Sequence, residues 1–290
     1  GTVTDGDGNS LTGAMTITGD NPNATQLKTI NSATTGNVVI PSKTVTLSGT
    51  PAVLAAALAG TVVDGAGAAI TGTVTITDSN PDATQLKTIN DGVAGSVVIP
   101  NKTVTLSGSA ATLVDALAGT VTDALSAKIN GTVTITGDNP NASQLKSIND
   151  NVDGAIVIPN KTVTLSGTAT VLAAALDGTV TDSDSALITG TTTITGANPS
   201  EAELKTINDS VTGIIVVPDK TATFTGSASV LSAALAGTVQ DGAGAAITGT
   251  VTITGANPNA SQLKTINDAV AGTIVIPNKT VTLSGTATVL

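Results

Sequence analysis

From Thr73 to Thr77 the chain reads Thr-Val-Thr-Ile-Thr, apolar and hydroxyl residues exchanging places at every step. Period two marks a half-buried strand, with Val and Ile inward and Thr outward. The same alternation stands at Thr132–Thr136 and Thr250–Thr254. After it come Asn-Pro, a cap residue and, three places later, Gln or Glu: Asn23/Gln26, Asp82/Gln85, Asn141/Gln144, Ser200/Glu203 and Asn259/Gln262. That spacing lets each side chain satisfy an orphan amide of a first helical turn. Leu27, Ile30 and Thr34, then Leu86, Ile89 and Val93, follow at i, i+3, i+7 and predict the inward stripe of that helix. Gly36, Gly95, Gly154, Gly213 and Gly272 fit its stop.

A shorter version of the theme comes next. Val97-Val98-Ile99 predicts a buried strand that Pro100 ends; after a turn at Asn101-Lys102, Thr103-Val104-Thr105-Leu106 alternates again. Thr50, Ser109, Thr168, Ser227 and Thr286 stand as N-caps of small Ala-rich helices, such as Ala110–Ala118 with Leu113 and Leu117 inward, and Pro51 takes the favoured first position. A Gly-Thr-Val-x-Asp segment, Gly119–Asp123 in one case, predicts a short extended piece ending in a turn.

All of this recurs. The text restarts at Gly1, Gly60, Gly119, Gly178 and Gly237, at one constant spacing and without insertion or deletion. The copies are 1–59, 60–118, 119–177, 178–236 and 237–290. The fifth stops at Leu290, where an earlier copy continues Ala173-Ala174-Ala175-Leu176, so it reads as truncated and the chain as a window of a longer array. Within a copy, Val251-Thr-Ile-Thr-Gly aligns with Val281-Thr-Leu-Ser-Gly half a period further on. Each copy is therefore a doublet of strand–strand–helix coils. The expected fold is an α/β repeat solenoid with parallel, Thr-rich ladders, each residue stacked on its equivalent in the next coil. The alternative, tandem small α/β or β-rich beads, calls for linkers that the text does not show.

Composition narrows the class. Phe224 and Met15 are single, and Trp, Tyr, His, Cys and Arg are absent, so the core must be Val, Ile, Leu and Ala. With 40% hydrophobic and 11% charged residues the chain is too apolar and too patterned for disorder. A net charge of −10 argues against nucleic acid and against anionic membranes as partners. No apolar run approaches the ~20 residues of a membrane span.

Candidate chemistry is sparse. Without His or Cys, and with its acids in turns, the sequence reads as non-enzymatic, and no catalytic, cofactor-binding or metal residue is assigned. Asp5-Gly6-Asp7-Gly8-Asn9 resembles the start of a calcium loop, but Leu11-Thr12-Gly13 supplies no closing carboxylate and the other copies thin out its acids. Lys43, Lys102, Lys161, Lys220 and Lys279 would form one charged column, and Asp5 to Asp241 another, able to pair laterally between chains. Asn23, Asn141, Asn259, Asn101, Asn160, Asn278 and Asn130 match the glycosylation pattern, although capping and turn chemistry account for most of them. The Thr-x-Thr rows suggest ice or another ordered lattice; the plainer account is the exposed face of a Val/Ile strand.

Ala83-x-Gln-Leu-Lys-Thr-Ile-Asn-Asp-x-Val-x-Gly95 and Leu165-Ser-Gly-Thr-Ala-x-Val-Leu-Ala-Ala-Ala-Leu-x-Gly178 resemble the repeats of very large secreted surface and adhesin-like proteins of bacteria, cyanobacteria among them. The resemblance implies an extracellular or cell-surface structural role and carries over no binding residue. The expected function is a fibre, stalk or surface coat built by lateral or end-to-end contact between copies. The alternatives are a Thr-ladder ice binder and an adhesin spacer with its binding domains elsewhere.

Overall fold

A computed structural model describes residues 4–40, 42, 44–78, 80–101, 103–276, 280–283 and 286. They form an α/β fold of recurring helices and short strands, and the chain divides into two compact units. The first is Gly1–Asp138 with Asn151–Ala155; the second is Asn139–Asp150 with Ile156–Leu290.

The first unit runs β1 (Met15–Thr16), α1 (Ala24–Asn31), β2 (Val38–Ile40), β3 (Leu47–Gly49), α2 (Pro51–Leu58), β4 (Val62–Asp64), β5 (Val74–Ile76), α3 (Ala83–Asp91), β6 (Val97–Val98), β7 (Leu106–Gly108), α4 (Ala110–Leu117), β8 (Val121–Thr122) and β9 (Val133–Ile135). One parallel sheet has the order β1-β2-β4 and the next β3-β5-β6-β8, while β7 pairs with β9. The inward row of the four-stranded sheet is Leu47, Val74, Val97 and Val121, all buried. Helices α1 to α4 pack in succession, with Leu27, Leu54, Leu86 and Leu113 sealed beneath them. Full burial of one such leucine is worth about 1.5–3 kcal/mol.

The second unit repeats the scheme: α5 (Ala142–Asn149), β10 (Ile156–Val157), β11 (Leu165–Gly167), α6 (Ala169–Leu176), β12 (Val180–Thr181), β13 (Thr192–Ile194), α7 (Glu201–Ser210), β14 (Ile215–Val217), β15 (Phe224–Ser227), α8 (Ala228–Ala234), β16 (Val239–Asp241), β17 (Val251–Thr254), α9 (Ala260–Ala269) and β18 (Ile274–Val275). Its parallel sheets are β11-β13-β14-β16 and β15-β17-β18, with β10 beside β12. Phe224 occupies the row that Leu165 holds in the preceding sheet.

The local signals form as expected. All five capping boxes are made in both directions, for example Gln85 N–H to Asp82 Oδ1 at 2.8 Å and Asp82 N–H to Gln85 Oε1 at 3.2 Å. Thr50, Ser109, Thr168 and Ser227 cap α2, α4, α6 and α8, while the residues Thr286 would cap lie outside those described. The segment Thr103–Leu106 is only partly a strand: β7 starts at Leu106 and carries on to Gly108.

Three expectations change. The stripe ending at Thr34 or Val93 overruns its helix. Helices α1 and α3 stop at Asn31 and Asp91, and Thr34 and Val93 are buried in isolated parallel bridges to Leu11 and Ile70. The glycines two places further on are not left-handed stops. A Cβ on Gly95 would lie 2.1 Å from the Gly72 carbonyl oxygen, and one on Gly72 lies 1.9 Å from that of Val45. Backbone stacks on backbone there, as at Val163–Gly190–Gly213 and Ala222–Gly249–Gly272 in the second unit.

The third change concerns what stacks on what. Strand neighbours are not the equivalents half a period apart that the alignment of Val251 with Val281 suggests; Leu47, Val74, Val97 and Val121 come from β3, β5, β6 and β8, with β4 and β7 passed over. A parallel pair needs a crossover, and each helix supplies one, so neighbours are strands on either side of a helix. The two strands of one coil consequently join different sheets: β6 lies with β5, while β7 pairs with β9. The outward row of the four-stranded sheet is then Ser48, Thr75, Val98 and Thr122, a mixed row and not a threonine ladder.

Candidate functional site

The recurrent acids serve the turns. Asp64, Asp123, Asp182 and Asp241 are 2–8% exposed. The Oδ1 of Asp64 accepts from the Ala66 and Ala68 amides at 2.9 and 2.8 Å, and the other three do the same two and four residues on. The chain turns through positive φ at Gly67, Ser126, Ser185 and Gly244. Asp5 makes the same turn in the open, and the Asn9 amide leads in holding its carboxyl below the usual range. These carboxylates are consumed by backbone, which removes the Asp column as a surface for lateral pairing and turns Asp5–Asn9 inward on itself. Among the described residues no group of three or more His, Cys, Asp or Glu is placed to hold a metal ion.

Of the Lys column, Lys161 and Lys220 are exposed; Lys43, Lys102 and Lys279 lie outside the described residues. Lysines on the helices are engaged instead. Lys87 reaches Asp91 at 2.7 Å and Asp115 at 3.0 Å, which raises its pKa, and Lys146, Lys205 and Lys264 pair with Asp150, Asp209 and Asp268. Exposed pairs of this kind are screened by water and salt and add little to stability.

Asn130 of the glycosylation motifs is exposed, and five others use their side chains in caps and turns. Asn23, Asn141 and Asn259 accept the amides of Gln26, Gln144 and Gln262, and Asn101 and Asn160 accept the hydroxyls of Thr103 and Thr162 at 2.7 and 2.8 Å. Asn278 lies outside the described residues. Another asparagine, inconspicuous in the sequence, ties helices together. Asn31, Asn149 and Asn208 donate Nδ2–H to the carbonyls of Ala56, Ala174 and Ala233, and Asn90 to those of Asp115 and Ala118. Each thereby caps the carbonyl end of the following helix. The recurring Ile-Asn was the available signal; its target, at the far end of the next helix, becomes visible only in three dimensions.

Among the described residues one buried side-chain polar group is orphaned. Thr192 is fully buried and its hydroxyl oxygen has no partner, in the row where Val74, Val133 and Val251 stand in other copies.

The clearest open surface lies at β1 and α1. A groove of about 410 Å³ is lined by Ile17, Asp20, Pro22, Thr25, Gln26, Thr29 and Ile30. Leu11, Met15, Ile17 and Ile30 are half-buried, whereas their counterparts Ile70, Val74, Ile76 and Ile89 are 0–2% exposed. β1 is the edge of its sheet, while its counterpart β5 lies between β3 and β6. A Cβ on Gly13 would meet nothing within 4 Å, although the counterpart Gly72 is pressed against Val45. Two smaller grooves, about 270 Å³ lined by Thr170, Glu203 and Thr206 with two alanines, and about 260 Å³ lined by Asp78, Asn80 and Asn101 with Ile76 and Ile99, mix polar and apolar residues. In the first, the Thr170 hydroxyl, 2.7 Å away, leads in holding the Glu203 carboxyl below its ordinary range, with the Ser200 amide second. Such a carboxylate is a poor general base, and no imidazole or thiol exists to serve in its place.

No helix among the described residues is long and apolar enough to cross a membrane. Comparison with protein-family models, with curated proteins and with solved structures gives no match.

Proposed function

We propose that this chain is a non-enzymatic structural repeat protein whose activity is self-association, forming a fibre, stalk or surface coat outside the cell. In this reading its five copies build an α/β solenoid, and the work of the molecule is to extend and to join. The observation that supports it is the regular recurrence of capped short helices and parallel strands from one copy to the next, since an array of like units extends by stacking and needs no distinct pocket. The uniformity of the copies agrees, because no copy departs from the rest to build a distinct pocket. The extracellular address rests on the resemblance of the repeat text to secreted surface proteins.

Sedimentation velocity and electron microscopy of the purified chain, over a wide concentration range at physiological salt, test it. Concentration-dependent oligomers or fibres are expected. A chain that stays monomeric throughout overturns the reading and leaves a passive spacer.

A further inference from the structure

We infer that Asn130 is a site of spontaneous covalent modification: its side-chain amide is lost to attack by the Gly131 backbone nitrogen, leaving an aspartate or an isoaspartate. The reaction consumes only water. It goes beyond the structural reading above and holds whether or not copies associate.

An asparagine carries its own electrophile, a carboxamide carbon one five-membered ring away from the backbone nitrogen of the next residue. Ring closure needs a hydrogen on that nitrogen, an unobstructed approach and a carboxamide that nothing else holds. The recurrent Asn-Pro pairs, Asn80-Pro81 among them, fail the first condition, because the proline nitrogen has no hydrogen to give up. Capping and helix-tying asparagines such as Asn141 and Asn149 fail the third, since their carboxamides are engaged. Asn130 alone is followed by glycine, which sets no side chain across the approach. It is exposed, and among the described residues its carboxamide has no hydrogen-bond partner. In the fourth and fifth copies the same place holds Thr189 and Thr248, whose hydroxyls donate to the Lys161 and Lys220 carbonyls at 3.1 Å. The third copy puts a reactive group where those copies put a tether.

The backbone around it sets both the rate and the consequence. Ile129 is buried and joins Val152 through an isolated bridge, not a ladder. Gly131 then enters the backbone stack: a Cβ there would lie 1.8 Å from the Val104 carbonyl oxygen, and one on Gly154 would lie 2.1 Å from the Gly131 carbonyl oxygen. The Gly131 nitrogen reaches Cγ when this short stretch lifts away, a local opening that breaks one bridge and one close contact. The new bond joins that nitrogen to Cγ and the Cγ–Nδ2 bond breaks. Nδ2 leaves as ammonia, taking the amide proton. Water then opens the cyclic imide, so NH2 is exchanged for OH and nothing is oxidised or reduced. Opening at Cγ gives aspartate; opening at the main-chain carbonyl gives isoaspartate, whose backbone is longer by one methylene. That extra atom falls between the Ile129 bridge and the Gly131 contact, so isoaspartate drives the two out of step while aspartate leaves both in place.

Peptide mapping of the full chain, aged while folded in warm, mildly alkaline buffer, tests this. Cleavage after Lys128 and Lys146 releases residues 129–146, which hold Asn130 beside the internal controls Asn139 and Asn141. Fragment masses locate the exchange of NH2 for OH, and methylation by an isoaspartyl methyltransferase identifies the isomer. We expect the change to be confined to Asn130, with isoaspartate present, and to run ~10-fold faster in the urea-unfolded chain, the factor that a local opening of about 1.4 kcal/mol gives. Asn130→Thr, the residue of Thr71, Thr189 and Thr248, should fold and abolish the change. Asn130→Asp should keep the parental urea midpoint, whereas the isoaspartate-bearing fraction should unfold at a lower one. Asn130 that stays intact in the folded chain while the unfolded chain reacts overturns the proposal, as does a change spread over several asparagines. Aspartate formed without isoaspartate overturns the cyclic route, and an isoaspartate fraction with the parental midpoint overturns its effect on the stack.

Discussion

Thr192→Val offers a clean test of how this core is held. The side chain is fully buried between Leu165 and Ile215 of the neighbouring strands, and its hydroxyl oxygen has no hydrogen-bond partner. A buried hydroxyl left unmatched costs about 1–3 kcal/mol relative to water. Valine differs from threonine by a methyl in place of the hydroxyl, and Val74, Val133 and Val251 fill the corresponding sites without exposure. Thr192→Val should therefore stabilise the chain by about 1–2 kcal/mol. The reciprocal Val74→Thr, between Leu47 and Val97, should cost a similar amount. Urea titration followed by far-ultraviolet circular dichroism reads both, since the chain lacks the Trp and Tyr that fluorescence needs. The midpoint should rise for the first variant and fall for the second at unchanged slope. A midpoint for Thr192→Val equal to or below that of the parent, at the same slope, would refute the reasoning, because it would mean that the hydroxyl is satisfied in the native state.

Other substitutions probe other devices. Gly131→Ala would place a Cβ 1.8 Å from the Val104 carbonyl oxygen and should cost about 3 kcal/mol or more, whereas Gly13→Ala should fall within about 0.5 kcal/mol, both read as denaturation midpoints. Asn208→Ala withdraws the donor 2.7 Å from the Ala233 carbonyl and should cost about 1–2 kcal/mol, with faster amide exchange at the end of α8. The Glu203 carboxyl is held below its ordinary range by the Thr170 hydroxyl and the Ser200 amide, so its contribution is complete above the unfolded pKa and fades as pH falls through the folded one. Glu203→Gln should accordingly lower stability near neutrality, with the gap to the parent narrowing as pH drops from about 6 to about 3. A constant gap across that titration would remove the carboxylate from the account.

What the sequence disclosed was local. The cap and the residue three places on, Asp82 with Gln85 or Ser200 with Glu203, need only one turn of helix to meet, and each pair meets. Strand existence was legible for the same reason, because alternation in Thr73–Thr77 refers to nothing beyond the strand. Pairing was not. The text repeats from Gly1 to Gly60 to Gly119 and invites equivalents to stack, but parallel ladders join strands on either side of a crossover helix, and that preference is invisible in self-similarity. Gly95 misled in a related way. Glycine just after a helix reads as a left-handed stop, yet its reason here is the Gly72 carbonyl, on the far side of that helix in the chain. The half-burial of Met15 was hidden for a further reason: it differs from Val74 in environment far more than in chemistry.

The stacked glycines have a metrical consequence. Where backbone rests on backbone, the step from one strand to the next is fixed by peptide dimensions, and side-chain size has no say in it. The second unit contains the natural trial. Val163 and Leu165 become Ala222 and Phe224, a smaller residue and a larger one exchanged two places apart on the same inward face. The gap from the glycine Cβ position to the carbonyl opposite is nevertheless 1.9 Å at Gly190 and 1.9 Å at Gly249. Substitution can thus alter the interior of a sheet while leaving the strand-to-strand step at these glycines untouched, and copies whose interiors have drifted apart keep a common gauge.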